Sequence, residues 1–258
     1  MDQLEAFFKS LEDYFDNIYV ITLSRATDRH EHIQEELKGL KYSLFWGQDK
    51  DQFEVKVLEE QNIYNEALAR KSHRWNKAMP PGMIGCSWSH KLIYEDVVKN
   101  NYNRVLILED DIVIDKNSIS TFPQILKELP TDWELLYLGY ERNEEFKPAY
   151  YVKQWLYHLQ RTLGLIRFSH KTIRHMYAKK LSEHIYSSGY HDHTHAYAVT
   201  RSGAEKLSKL QEPIRFFPDN LLAYAATNEL VKAYITRPKL INQLSQGETK
   251  KLSTYIGH

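Results

Sequence analysis

The chain has 258 residues, 42% hydrophobic and 26% charged, an ordinary globular composition that can bury one substantial core. Its 34 basic and 34 acidic side chains balance, so no global field recruits nucleic acid or an anionic membrane, and any electrostatic preference is local. One cysteine, Cys86, excludes an internal disulfide or a cysteine zinc cluster, and neither a secretory signal nor a run of ~20 apolar residues is present, so a cytoplasmic protein with at most peripheral membrane contact is expected.

After an amphipathic opening helix, the apolar, β-branched run Asn17–Leu23 predicts a buried strand. Residues 28–40 follow with helical spacing (Ile33, Leu37, Leu40), completing half of a βαβ unit. The segment from Gln48 to Lys77 is polar and helical in part. Met79-Pro80-Pro81-Gly82 is expected to stop any helix and give a loop. Trp88, Leu92, Ile93 and Val97 then mark a helix, and Val105-Leu106-Ile107-Leu108 a central strand covered on both faces. Glu109-Asp110-Asp111 closes that strand. A helix around 117–129, a strand at Trp133–Gly139, a strand at Ala196–Thr200, helices from Ser202 and over Leu221–Lys232, and a last strand with a polar tail complete the alternation. The fold class predicted is α/β, a mostly parallel twisted sheet with helices on both faces, in one domain over 1–258. Lys147 to Lys180 holds eight basic residues and no acid, with Tyr150, Tyr151, Trp155, Tyr157 and Phe168 interleaved; it reads as a basic, aromatic insertion over 146–184.

Three adjacent carboxylates at a strand end repel one another, and a divalent cation would neutralise them. Successive strand residues alternate in direction, so Glu109 and Asp111 share one side and Asp110 takes the other. Where the strand opens, Asp111 can bind a metal, Glu109 a water on it, and Asp110 a ribose hydroxyl. Hard oxygen ligands favour Mn²⁺ or Mg²⁺. A solvated acidic turn is the alternative, but the ligand end of an α/β sheet favours a site. His191-Asp192-His193-Thr194-His195 sets three imidazoles on one face of an extended segment, a superficial zinc pattern; His191 and His193 are read instead as loop residues.

Gly82-Met83-Ile84-Gly85-Cys86-Ser87-Trp88-Ser89-His90, Leu106-Ile107-Leu108-Glu109-Asp110-Asp111 and Thr194-His195-Ala196-Tyr197, in this order, resemble the motif series of glycosyltransferase family 25. That family includes lipopolysaccharide and procollagen galactosyltransferases. Tyr19–Leu23 with Arg25 and Arg29 resembles its first strand and donor loop, so the likeness runs from about 17 to 246. The resemblance implies a GT-A-like (Rossmann-like) fold, a UDP-sugar donor, commonly UDP-galactose, Mn²⁺ dependence and inversion at the anomeric carbon. It implies that Thr22 and Leu23 line the nucleoside pocket with Arg29 nearby, and that Gly82 and Gly85 let backbone approach the diphosphate beside Ser89. His90 either orients phosphate or sugar or is a buried helix histidine, and His195 lies near donor or acceptor. Asp219 is either the base that deprotonates the acceptor hydroxyl or the N-cap of the helix after it. The insertion aligns with no family motif, so the acceptor is left as a glycan, a lipid-linked species or a protein. Two rival readings are a metal-dependent nucleotidyltransferase, which would need a Gly-rich phosphate loop not evident here, and a non-catalytic module for anionic glycan.

Overall fold

The computed structural model describes residues 2–244 other than Phe146 and Ala149, so the polar tail expected beyond the last strand lies outside the described residues. The chain begins with α1 (Gln3–Tyr14), β1 (Asn17–Thr22), α2 (Thr27–Glu36) and β2 (Ser43–Trp46). Two short helices, α3 (Val55–Glu60) and α4 (Glu66–Ser72), lead to α5 (Pro81–Lys99), β3 (Arg104–Glu109), β4 (Ile112–Ile114), α6 (Phe122–Glu128) and β5 (Leu135–Glu141). The insertion contributes α7 (Tyr150–Thr162), α8 (His170–Arg174) and β6 (Lys179–Lys180). Then come β7 (Ile185–Ser187), β8 (Asp192–Thr200), α9 (Arg201–Leu210), α10 (Pro218–Thr227), β9 (Ala233–Thr236) and β10 (Ile241–Gln243).

Eight strands form one sheet in the order β2-β1-β3-β8-β5-β9-β7-β6. The pairings make β8 and β7 antiparallel to their neighbours and leave the other six strands pointing one way, the mostly parallel sheet expected. Its continuous apolar strands arise because alternate residues feed two cores. Ile18, Val20, Leu106, Leu108, Leu136 and Leu138 pack with α1, α2 and α6 on one face. Tyr19, Val105, Ile107, Leu135 and Tyr137 pack with α5, α9 and α10 on the other. Each such fully buried side chain contributes about 1.5–3 kcal/mol, so the strand ends are held firmly. A separate ribbon pairs β4 with β10 antiparallel and sets Gln243 opposite Ile112, beside the acidic strand end. No helix of the described residues is long and apolar enough to cross a membrane.

Several local expectations are corrected. Pro80-Pro81-Gly82 does not stop a helix but opens α5, because a proline in the first turn lacks only an N–H that would be unsatisfied there. The same logic starts α10 at Pro218, which makes Phe217 the N-cap and puts Asp219 inside the first turn, so Asp219 is not the cap; the helix ends at Thr227, short of Lys232. The single last strand is two, β9 and β10. The three histidines do not share a face. His193 has φ 67° and the β5–β8 register slips beside it, so His193 is exposed while His191 and His195 are fully buried. His191 lies in the loop just before β8, buried there, where its ring accepts from Gly189 N at 3.0 Å and lies 2.8 Å from Arg142 O, whereas His193 falls inside β8 and not in a loop.

Candidate active site

The parallel pairing of β1 and β3 sets Ile21 opposite Glu109, so the two strands end together. Thr22 Oγ1 donates to Asp110 Oδ2 at 2.6 Å. Arg29, carried back by α2, pairs with Asp110 and stands 3.4 Å from Asp111. A cleft opens over this end, of about 650 Å³ with its mouth included, lined by Thr22, Leu23, Arg29, Gly82, Cys86, Ser89, His90, Glu109 and Asp110 and, from the β2–α3 connection, Gly47 to Lys50. The acids thus sit in a concave, ligand-sized site, not on a solvated turn.

Glu109 and Asp111 share a partner. Gln243 Nε2 donates to the two Asp111 oxygens at 3.0 and 3.1 Å and reaches Glu109 Oε2 at 3.4 Å. Thr194 Oγ1 donates to Glu109 Oε1 at 2.6 Å. Burial, followed by the Asp111 charge, pushes the Glu109 carboxyl well above its ordinary range; burial also raises Asp111, against the lowering pull of Arg29. The sequence argument required a cation at these acids, and Arg29 is one. It pairs with Asp110 and Asp111, and beside them the Gln243 Oε1 atom is buried without a hydrogen-bond partner among the described residues. Two carboxylates and an orphaned amide oxygen fit a hard divalent cation. A separate group with ligand-like spacing, Glu128, Glu183 and His184, lies away from the cleft, and Glu128 already accepts from Ser182 and His184.

The α5 wall is built by close packing. A Cβ on Gly85 would stand 2.2 Å from Gln48 O, so only glycine lets the helix meet the Gly47–Gln48 loop. Gly85 therefore braces the cleft without lining it. Ser89 Oγ donates to Gly85 O at 2.7 Å and accepts from Gln48 N at 2.8 Å, tying the same two segments. Burial depresses His90 to about 3, so its imidazole is neutral. Nδ1 lies 2.6 Å from Tyr197 OH, itself 2.8 Å from Tyr94 OH. A neutral ring that accepts at Nδ1 carries its proton on Nε2, which has no hydrogen-bond partner among the described residues and stands 4.0 Å from Glu109 Oε1. His195 is not brought to the cleft: it packs under Gly139 with Nε2 3.3 Å from Ile241 O.

Asp219 stands in the first turn of α10, its Oδ2 3.5 Å from the backbone N of His193 in β8. Its Oδ1 accepts from the backbone N–H and side-chain amide of Asn220, both at 2.7 Å. Burial raises the Cys86 thiol, and the charges of Glu109, Asp219, Asp110 and Asp111 push it the same way. Asn220 also lines a second depression, with Lys71, Arg161, Arg167, Arg215, Phe168 and Tyr190. Sequence reasoning missed Gln243, Thr194 and the Gly47–Lys50 wall. Thr194 stood within a quoted motif; Gln243 carried no local signal.

A family profile described as "Glycosyltransferase family 25 (LPS biosynthesis protein)" matches residues 15–222. The human "Inactive glycosyltransferase 25 family member 3" is 26% identical over 212 residues, covering 79% of this chain and 30% of that protein. Mouse "Procollagen galactosyltransferase 2" is 26% identical over 151 residues, covering 52% of this chain and 22% of that protein. Among solved structures, apo mouse xyloside xylosyltransferase 1 aligns over 91% of this chain and 79% of its own, at 12% identity and a TM-score of 0.40. The chain spans less than a third of the length of these curated relatives. A profile match over most of the sheet and both walls of the cleft carries one conclusion, that the chain belongs to glycosyltransferase family 25.

Proposed function

We propose that the chain transfers a hexose, galactose or glucose, from a UDP-sugar to a glycan, lipid-linked or protein acceptor, with inversion at the anomeric carbon. The observation that carries this reading is the pairing of Glu109 and Asp111 on Gln243 at the ligand end of β3, beside a cleft whose opposite wall presents Ser89 and His90. Asp111 and Glu109 would hold Mn²⁺ or Mg²⁺ in the place Gln243 Nε2 takes, with the amide turned over to offer Oε1, and the ion would supply neutralisation of the diphosphate leaving group.

The chain's own residues do the rest. Thr22 and Leu23 line the uridine side of the cleft, and Asp110, steadied by Thr22 and Arg29, accepts from a ribose hydroxyl. Gly85 and Ser89 hold α5 against the loop, so the donor meets a preformed wall. Neutral His90 donates from Nε2 to a phosphate or sugar oxygen. Asp219 takes the proton from the acceptor hydroxyl as that oxygen bonds to the anomeric carbon and the bond to UDP breaks. The depression bordering Asn220 opens one residue from this base, and its four cations suit an acceptor bearing phosphate or carboxylate. The insertion over 146–184 supplies Arg161 and Arg167 to it, which supports an acceptor-side role for the insertion. Incubation with a panel of nucleotide sugars and Mn²⁺, with released nucleotide as the readout, tests the reading. Slow hydrolysis of one UDP-hexose is expected; no release from any of them would overturn it.

A further inference from the structure

Helix α7 is mounted with its apolar side outward. Tyr151, Val152, Trp155, Leu156, Leu159 and Leu163 are between 43% and 67% exposed. At 3.6 residues per turn they fall within an arc of roughly 140°. The opposite side faces the protein and makes polar and ring contacts: Gln154 Nε2 donates to Ile173 O at 2.8 Å, His158 Nδ1 lies 2.8 Å from His170 Nδ1, and Tyr150 stacks on Tyr177 at 4.6 Å. The hydrophobic effect would turn such a helix the other way if water were its only neighbour.

The charge of the insertion that carries this face points to its neighbour. Lys147, Lys153, Arg167, Arg174, Lys179 and Lys180 are exposed, and the stretch from Lys147 to Lys180 contains no acid, in a chain whose formal net charge is zero. A second protein copy would meet cations with the same cations at a two-fold contact, whereas an anionic lipid surface offers both an apolar interior and negative headgroups. Trp155 and Tyr151 suit the boundary between them, with one apolar end and one polar end.

We infer that α7 lies in the interface of an anionic membrane, apolar face down, with the neighbouring lysines and arginines at the headgroups. Arg161, on the protein-facing side of the same helix, lines the depression next to Asn220, so a docked α7 holds that depression about one helix diameter (~10 Å) from the lipid surface. In that respect the inference rests on the proposed transfer reaction and narrows its acceptor to a lipid-linked glycan; the docking itself does not depend on it.

Cosedimentation with phosphatidylglycerol-containing vesicles, against vesicles of phosphatidylcholine alone, tests the docking. Binding to the anionic vesicles that weakens as salt rises is expected, with at least tenfold weaker binding for the Trp155→Gln/Leu159→Gln/Leu163→Gln variant. Lys147→Gln/Lys153→Gln, which leaves the apolar face intact, is expected to weaken binding and flatten its salt dependence. Equal binding of the triple variant, no binding to either vesicle, or self-association in the ultracentrifuge that the triple variant abolishes would each overturn the inference. None of these readouts uses sugar transfer, so a chain that turns over UDP-hexose yet ignores vesicles refutes the docking alone.

Discussion

Replacing Arg29 with Met tests how the acidic strand end is neutralised. The Arg29 side chain is 16% exposed and those of Asp110 and Asp111 are 9% exposed, so the substitution strips a buried carboxylate pair of its cation. Breaking a buried ion pair by removing one partner costs about 3–5 kcal/mol. The lower end applies, because Glu109 and Asp111 are already displaced toward their protonated forms and can relieve the charge by taking up a proton. A loss of about 3 kcal/mol corresponds to a fall of roughly 6–12 °C in Tm for a chain of this size. Mn²⁺ at a hundredfold excess over its Kd returns about 2.7 kcal/mol, and Arg29→Met should gain more from it than the parent, since no guanidinium competes for the carboxylates. Urea unfolding at neutral pH with and without Mn²⁺ measures both terms. A variant as stable as the parent without metal, or one that gains no more from Mn²⁺ than the parent does, refutes the reasoning.

Gly85→Ala puts a methyl group 2.2 Å from Gln48 O, an overpacking cost of about 1–3 kcal/mol. It outweighs the ~1 kcal/mol gained in helix propensity; denaturation should show the loss and calorimetry a weaker UDP affinity, and unchanged values in both would show that the wall yields. Asp219→Asn should keep donor affinity and lower turnover by about 10²–10⁴, the usual worth of a general base; lost stability with per-molecule activity intact would leave Asp219 a structural role only. Burial holds His90 near 3 and His191 and His195 near 4, against an ordinary 6.5. Their contribution is complete above that value and drains as pH falls, by up to about 1.4 kcal/mol per pH unit each. Burial lowers His73 and His158 as well, and the raised Glu109, Asp111 and Asp192 act in the opposite sense, so five imidazoles against three carboxylates leave stability falling toward pH ~4.5; a midpoint that holds or rises there would contradict this sign.

The central strands were legible because β1, β3 and β5 feed a core on each face, which forces unbroken apolar runs. The acids at the end of β3 stood out for the same reason, since nothing in strand packing accounts for them. Pro81 was misread through its neighbours: a Pro-Pro-Gly string reads as a stop, yet proline at a first turn is a start. Arg29 was flagged as a donor-loop residue, but its pairing with Asp110 depends on how α2 folds back. Gln243 stands 132 residues from Asp111, on a three-residue strand that takes its position from β4, so no local pattern could disclose it. The basic insertion was evident from composition. Which way α7 faces was not, because periodicity defines an apolar stripe and not whether the protein or something else covers it.

The central claim is that these carboxylates hold a metal for a uridine diphosphate. Calorimetric titration of UDP into the parent, Asp110→Asn and Asp111→Asn, each with and without Mn²⁺, tests it most directly. The account predicts that the parent binds UDP only with Mn²⁺, that Asp111→Asn loses this binding, and that Asp110→Asn weakens it less. Equal affinity in all three chains, indifferent to Mn²⁺, would contradict it.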